Sequence, residues 1–171
     1  DFGENKIQEA EDKWVKLKEE YNHVKLHMVG KLQSNKAKKA VQLFDYIHSL
    51  DNAKLAEKIS KFELQFNKKI NIFIQVNLGN EEQKSGITKS DLKGFYDFCT
   101  KNLSLNIIGL MCIPPQNLDS VNYFNDLNNL AKTFNLSNLS MGMSHDYIEA
   151  INCGSTFVRI GEMIFGKRII Q

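Results

Sequence analysis

Three residues near the C-terminus have types and spacing suited to holding a phosphate group: Ser144, Arg159 and Gly161. A serine hydroxyl and a guanidinium donate hydrogen bonds to phosphate oxygens, and a glycine lets backbone N–H groups approach an anion closely. The apolar run Asn138 to Met141 precedes the serine, and the run Thr156 to Ile160 contains the arginine. Both runs predict buried strands, so the three groups would meet at the ends of two neighbouring strands. The pattern therefore predicts an anion site.

Arg159 is the least ordinary of these residues because it lies inside an apolar run. A buried arginine must be paired with an acid or must face a ligand. We favour a ligand, and a structural ion pair is the main alternative. Ser144 has an equally good plain interpretation as the N-cap of the next helix, with Asp146 in its first turn. The case for Ser144 as a binding residue thus depends on Arg159.

The elements that must position these groups alternate between strands and helices along the chain. Helices are predicted from Asn5 onward, over Asn35 to Leu43 with Ser34 as cap, after Asp51 or Asn52, after Thr88 or Ser90, and from Asp119. Further strands are predicted over Val24–Val29, Phe44–Ile47, Ile70–Val76 and Leu105–Ile113. The alternation, with about seven strands, predicts parallel strands joined by crossover helices.

Polar residues gather where the predicted strands end, at Asn5, Lys31, His48 and Asn77 as well as at Ser144. In a parallel α/β protein these points share one end of the sheet, where active sites are built. An eight-unit barrel fits better than an open sheet because no strand is clearly an edge. Such a barrel usually needs about 250 residues. The 171 residues therefore predict one barrel domain, 1–171, that lacks one βα unit, with β-strands at Phe2 and Val158 flanking the gap.

Composition excludes several functional classes. A net charge of +2 is too small for a nucleic-acid footprint, and the sequence predicts neither a transmembrane helix nor a signal peptide. The odd number of cysteines, three, indicates the reducing cytoplasm. No histidine pair has the spacing of a metal site, and His27 and His48 are better interpreted as structural residues.

Ordered motifs over nearly the whole chain resemble the pyridoxal phosphate homeostasis proteins, which are relatives of the N-terminal barrel of alanine racemase. The motifs include Phe2-Gly3-Glu4-Asn5, His27-Met28-Val29-Gly30, Gln75-Val76-Asn77, Leu139-Ser140-Met141-Gly142-Met143-Ser144 and Val158-Arg159-Ile160-Gly161. The resemblance implies a TIM-type (β/α)8 barrel of the fold-type III proteins that bind pyridoxal 5′-phosphate, with its first strand missing from this chain.

The resemblance also implies a set of cofactor-binding residues. Ser144 and the backbone of Gly161 and Glu162 would hold the phosphate, and Arg159 would face the pyridine nitrogen. The Glu162 side chain would point away, because a carboxylate repels a phosphate. Lining residues complete the implied set: Asn5, His27, Met141 and Gly142.

The implied function is intracellular storage and delivery of pyridoxal phosphate, with enzymes that use this cofactor as partners and without catalysis by this chain. A small amino-acid racemase is the enzymatic alternative, although the second domain of alanine racemase is missing. A barrel that binds a sugar phosphate is a third interpretation. The lysine that forms the Schiff base is expected upstream of Asp1, so phosphate or sulfate could take the cofactor's place in the chain as given.

Overall fold

Seven parallel strands form one sheet in the computed structural model, which describes residues 1–79, 81, 85–115 and 119–166. The strands follow the chain order, and their bounds are β1 Phe2–Glu4, β2 Leu26–Met28, β3 Tyr46–Leu50, β4 Asn71–Gln75, β5 Ile107–Met111, β6 Asn138–Met143 and β7 Phe157–Arg159. Each strand pairs in parallel with the next, which leaves β1 and β7 as the two edges. The predicted strand number and the two predicted edge strands are thus confirmed.

The sheet is curved into a nearly closed barrel. The ring of Phe157 in β7 lies 5.9 Å from that of His27 in β2 and 5.8 Å from that of His48 in β3, centroid to centroid. A flat sheet would hold these strands about 20 Å apart, since neighbouring strands are about 4.8 Å apart. The contacts across the interior therefore require closure of the kind seen in a (β/α)8 barrel.

Helices connect successive strands, and one further helix follows β7. Their bounds are α1 Ile7–Glu20, α2 Ala37–Leu43, α3 Ala53–Phe66, α4 Leu92–Asp97, α5 Ser120–Thr133, α6 Tyr147–Asn152 and α7 Glu162–Phe165. A 3₁₀ turn, Ser34–Lys36, precedes α2, and a π-helical turn, Phe98–Asn102, follows α4. None of the helices in this described part of the chain is long and apolar enough to cross a membrane.

Two predicted helix starts, one of them a predicted N-cap, are confirmed by hydrogen bonds to capping side chains. The Asn52 side chain accepts from the backbone N–H of Leu55 at 2.9 Å, and the Asp119 side chain accepts from that of Val121 at 3.0 Å. Both side chains satisfy backbone donors that a helix leaves free in its first turn. These caps fix where α3 and α5 begin.

Two other predicted caps are wrong. The Ser34 side chain makes no capping hydrogen bond, since residues 34–36 form the 3₁₀ turn ahead of α2. Ser144 is not the cap of α6, because Asp146 occupies that position and its Oδ1 accepts from the backbone N–H of Met143 at 2.7 Å. The chain thus makes one more turn between β6 and α6 than predicted.

The third strand begins and ends later in the sequence than its apolar run predicts. It was predicted over Phe44–Ile47, with His48 as a polar residue beyond its end, but β3 runs from Tyr46 to Leu50 and contains His48. His48 is 2% exposed and packs inside the barrel, where its ring stacks on Phe73 at 4.4 Å. An inward-facing position of a barrel strand can carry a polar side chain when it finds a partner inside, so the end of an apolar run did not mark the end of the strand.

Candidate functional site

Arg159 is the last residue of β7, and its guanidinium is held by two acceptors. Nη1 donates to Ser140 Oγ at 2.8 Å, and Nη2 donates to the Cys112 carbonyl at 3.0 Å. In the part of the chain that the structure describes, no acidic side chain lies within ion-pair distance of Arg159, and the charge of Asp146 acts on it from farther away. Burial lowers the pKa of Arg159, but an arginine stays protonated in proteins. The result is a fixed cation with unused donors.

Ser144 follows β6 and lies beside the start of α7. The backbone N–H of Met163 donates to Ser144 Oγ at 3.4 Å, a long hydrogen bond. Gly161 is the N-cap of α7, and Glu162 is its first residue. The structure therefore brings Ser144, Gly161 and Glu162 together at the end of the strands, as their spacing predicted. The backbone of Arg159 precedes Gly161 by two residues, and its guanidinium lies against Ser140 and Cys112.

The space around these residues suits a ligand that approaches backbone. A Cβ atom added to Gly161 would meet nothing within 4 Å, and Gly161 and Glu162 are both exposed. Gly142, in contrast, is enclosed: it has φ +92, and an added Cβ would lie 2.5 Å from the Ala150 Cβ. Gly142 thus lets α6 pack directly against the end of β6, which sets the position of Ser144.

In the described residues, no hydrogen bond or ring contact joins the remaining predicted residues to Ser144, Gly161 or Glu162. Asn5 follows β1 and is exposed, with its backbone against Gly30. Met141 is fully buried in the hydrophobic core, and its carbonyl accepts from Ser155 Oγ at 2.7 Å. His27 lies within β2, inside the predicted strand Val24–Val29, and pairs with Gly3. Its ring contacts Tyr46, His48, Phe157 and Asp1 rather than Ser144 or Arg159.

Ser140 is the polar residue that sequence reasoning missed. It is fully buried, and its hydroxyl contacts both Arg159 and His48 Nδ1, the latter at 2.7 Å. The signal was present, since Ser140 stands between Leu139 and Met141 in a run that predicts a strand buried on both faces. A polar residue in such a strand must have a partner inside the protein.

The two buried histidines are uncharged. Desolvation, followed by the charges of His27 and Arg159, lowers the pKa of His48 from 6.5 to about 2. Desolvation by burial lowers the pKa of His27 to about 4, against a smaller opposing effect of Asp45. Of the described residues, no three histidine, cysteine or acidic side chains are grouped to hold a metal ion.

Acid is expected to destabilise the fold through these histidines. Because the folded pKa of His48, about 2, lies below the ordinary 6.5, the unfolded chain takes up the proton first. This contribution to stability is present above pH 6.5 and is lost as the pH falls towards 2. Each buried histidine would lower the free energy of unfolding by up to about 1.4 kcal/mol per pH unit. Urea unfolding at pH 7 and pH 5 measures this loss.

A variant with His48→Gln should lose less stability between these pH values than the parent. The matched control is His23→Gln, because His23 is exposed and lies outside the barrel interior. Equal slopes for the parent and for His48→Gln would show that His48 is not held neutral by the fold.

Comparisons with known proteins agree with this architecture. The family described as alanine racemase, N-terminal domain, matches residues 1–168. A pyridoxal phosphate homeostasis protein from Synechocystis is 41% identical over 99% of this chain and 81% of its own length. The solved structure of PipY from Synechococcus elongatus without pyridoxal phosphate is similar, with a TM-score of 0.90, 35% identity, and coverage of 96% of this chain and 81% of PipY. PipY with pyridoxal phosphate bound has a TM-score of 0.89 and 34% identity, with the same coverage.

Proposed function

Because the chain belongs to the alanine racemase N-terminal domain family and, within it, to the pyridoxal phosphate homeostasis proteins, we propose that it binds pyridoxal 5′-phosphate for cofactor storage and delivery. The observation that carries the proposal is the relative PipY, which shares the fold and has been solved with pyridoxal phosphate bound. The recipients would be enzymes that use this cofactor.

The residues of this chain fit such a ligand. Of the five N–H groups of a guanidinium, Arg159 uses two on Ser140 and Cys112, which leaves three without a recorded partner among the described residues. Arg159 is half-buried and its charge is partly desolvated, so a ligand that accepts from the free donors would stabilise the guanidinium. Ser144 adds a hydroxyl at the same end of the strands.

The proposed roles follow from these donors. Ser144 Oγ and the backbone N–H groups of Gly161 and Glu162 would bind the phosphate, and Arg159 would donate to the pyridine nitrogen. Asn5, Met141, Gly142 and His27 would line or support the ring pocket.

Arg159 also decides how the cofactor's ring would behave. Pyridoxal phosphate stabilises negative charge at an amino acid's α-carbon when its ring nitrogen is protonated. The guanidinium cannot accept a proton and would donate to that nitrogen, which keeps the nitrogen unprotonated. This pairing weakens electron withdrawal by the ring, and it favours holding the cofactor over demanding chemistry on it.

Replacing Ser144 by alanine tests the phosphate part of the site. Loss of one hydrogen bond should weaken binding of a phosphate ester by about 0.5–1.5 kcal/mol, or roughly 2- to 13-fold. Calorimetric titration with pyridoxal 5′-phosphate, and with pyridoxal as the ligand without phosphate, measures this difference. The loss should be confined to pyridoxal 5′-phosphate.

The matched control is Ser137→Ala, since Ser137 is exposed and lies just before the opposite end of β6. Unchanged affinity in Ser144→Ala would remove Ser144 from the site. Release of the α-proton of free amino acids by the loaded protein would instead identify a racemase.

A further inference from the structure

A chain of hydrogen bonds crosses the interior of the barrel from Arg159 to His27. Arg159 Nη1 lies 2.8 Å from Ser140 Oγ, which lies 2.7 Å from His48 Nδ1. His48 Nε2 in turn lies 3.0 Å from His27 Nδ1. His27, His48 and Ser140 are all at least nine-tenths buried, so water does not compete for these bonds.

Arg159 sets the donor-to-acceptor direction of this series of hydrogen bonds. A guanidinium only donates, so Ser140 Oγ accepts from Arg159. The serine hydroxyl has one proton, and its other recorded contact is His48 Nδ1. If the hydroxyl accepted from His48 as well, its own proton would have no acceptor among the described residues at a fully buried site. Ser140 therefore donates to His48 Nδ1, because buried polar groups are satisfied.

The tautomers of both histidines follow from this direction. Because Nδ1 of the neutral His48 accepts, its proton is on Nε2 and is donated to His27 Nδ1. His27 then also carries its proton on Nε2. That nitrogen is buried without a hydrogen-bond partner and lies 3.4 Å from Asp1 Oδ1. The lowered pKa values of both histidines agree with uncharged rings.

The packing around the two rings holds them in place. His27 stacks on Tyr46, with ring centroids 4.2 Å apart and planes 7° apart. His48 stacks on Phe73 at 4.4 Å and meets Phe157 edge-on at 5.8 Å. The charged side chains that act on this pair are Arg159 next to His48, and Asp1 and Asp45 near His27. The rings are thus fixed partners with defined donor and acceptor sides.

We propose that His48 is a positioning residue that fixes the plane of the Arg159 guanidinium through Ser140, by a one-way hydrogen-bond chain from Arg159 to Ser140, His48 and His27. Two bonds, to Ser140 and to the Cys112 carbonyl, fix a rigid planar group. The three remaining N–H groups then have fixed directions. The hydrogen-bond chain stands on this geometry alone, and its effect on the cofactor rests on the proposed function.

The first test needs no ligand. Long-range 1H–15N correlation NMR at pH 7 should show both His27 and His48 as neutral rings protonated on Nε2. The Nη protons of Arg159 should give separate signals, because rotation of the guanidinium is blocked. A His48 ring protonated on Nδ1, or on both nitrogens, would overturn the proposal, as would averaged Nη signals.

A matched pair of variants tests the positioning role. In His48→Gln the amide can still accept from Ser140 and donate to His27, whereas His48→Met has a similar shape, cannot donate and accepts only weakly through its sulfur. We expect separate Arg159 Nη signals in the glutamine variant and averaged signals in the methionine variant. The same result in both variants would contradict a role for the hydrogen bonds of His48. If the methionine variant does not fold, the glutamine variant alone tests the proposal. Averaged Arg159 Nη signals in the glutamine variant would overturn it.

The effect on binding is measured with pyridoxine 5′-phosphate, which carries an alcohol in place of the cofactor's aldehyde and needs no lysine. Its affinity should fall by about 3- to 10-fold in His48→Met and by less than about twofold in His48→Gln. The affinity for inorganic phosphate should not change in either variant. Equal losses for both ligands would overturn the positioning of the ring-facing donors. If the unsubstituted protein binds no pyridoxine 5′-phosphate, the proposed function fails, and the NMR signals still decide on the hydrogen-bond chain.

Discussion

Replacing Arg159 by methionine is expected to lower the affinity for pyridoxine 5′-phosphate by roughly 10- to 150-fold, since a hydrogen bond to a charged group contributes about 1.5–3 kcal/mol. The guanidinium is fixed by Ser140 and Cys112 at 2.8 and 3.0 Å, so its free N–H groups need little reorganisation to bind a ring nitrogen. A methionine side chain occupies similar space but has no hydrogen-bond donor. Calorimetric titration of both proteins measures the difference.

Two controls distinguish the contribution of Arg159 to binding the pyridine ring from its contribution to binding the phosphate. The affinity for inorganic phosphate should fall less than that for pyridoxine 5′-phosphate in Arg159→Met. In Arg159→Lys the charge remains but the two-pronged donor is lost, so we expect an intermediate affinity. If Arg159→Met bound pyridoxine 5′-phosphate as tightly as the parent, Arg159 would not face the cofactor.

Replacing Gly142 by alanine is expected to lower the free energy of unfolding by roughly 2–4 kcal/mol, through backbone strain and overpacking together. At φ +92 an L-residue is strained, and the new Cβ would lie 2.5 Å from the Ala150 Cβ and 3.1 Å from the Tyr147 Cα. Neither neighbour can rotate away, since one is a methyl group on the backbone and the other is backbone. Urea unfolding measures the loss.

A second glycine provides the matched control. Gly94 lies within α4, and a Cβ added there would meet nothing within 4 Å. Gly94→Ala should therefore leave stability unchanged or raise it by up to about 1 kcal/mol, because alanine favours a helix more than glycine does. Equal stabilities of Gly142→Ala and the parent would show that α6 does not pack on β6 as described.

Much of the fold followed from sequence periodicity. Continuous apolar runs indicated strands that are buried on both faces. Apolar residues at steps of three and four indicated amphipathic helices. The side chains of Asn52 and Asp119 marked two helix starts correctly because a capping residue acts locally. The grouping of Ser144 with Gly161 was also predictable, since parallel strands that are neighbours end at the same face.

The interior of the barrel was not predictable in the same way. His48 and Ser140 are 92 residues apart in the sequence, and their hydrogen bond exists only because the sheet closes. Local patterns instead placed His48 beyond the end of its strand and made Ser144 a helix cap. A polar residue inside an apolar run signals an interior partner, but the identity of that partner depends on the strand register and the curvature of the barrel.

A crystal structure of this chain with pyridoxal 5′-phosphate tests the central claim most directly. We predict that the phosphate accepts hydrogen bonds from Ser144 Oγ and from the backbone N–H groups of Gly161 and Glu162, and that the pyridine nitrogen faces Arg159. A cofactor bound elsewhere, such as on an exposed lysine, with the residues around Ser144 and Arg159 left empty, would contradict the account.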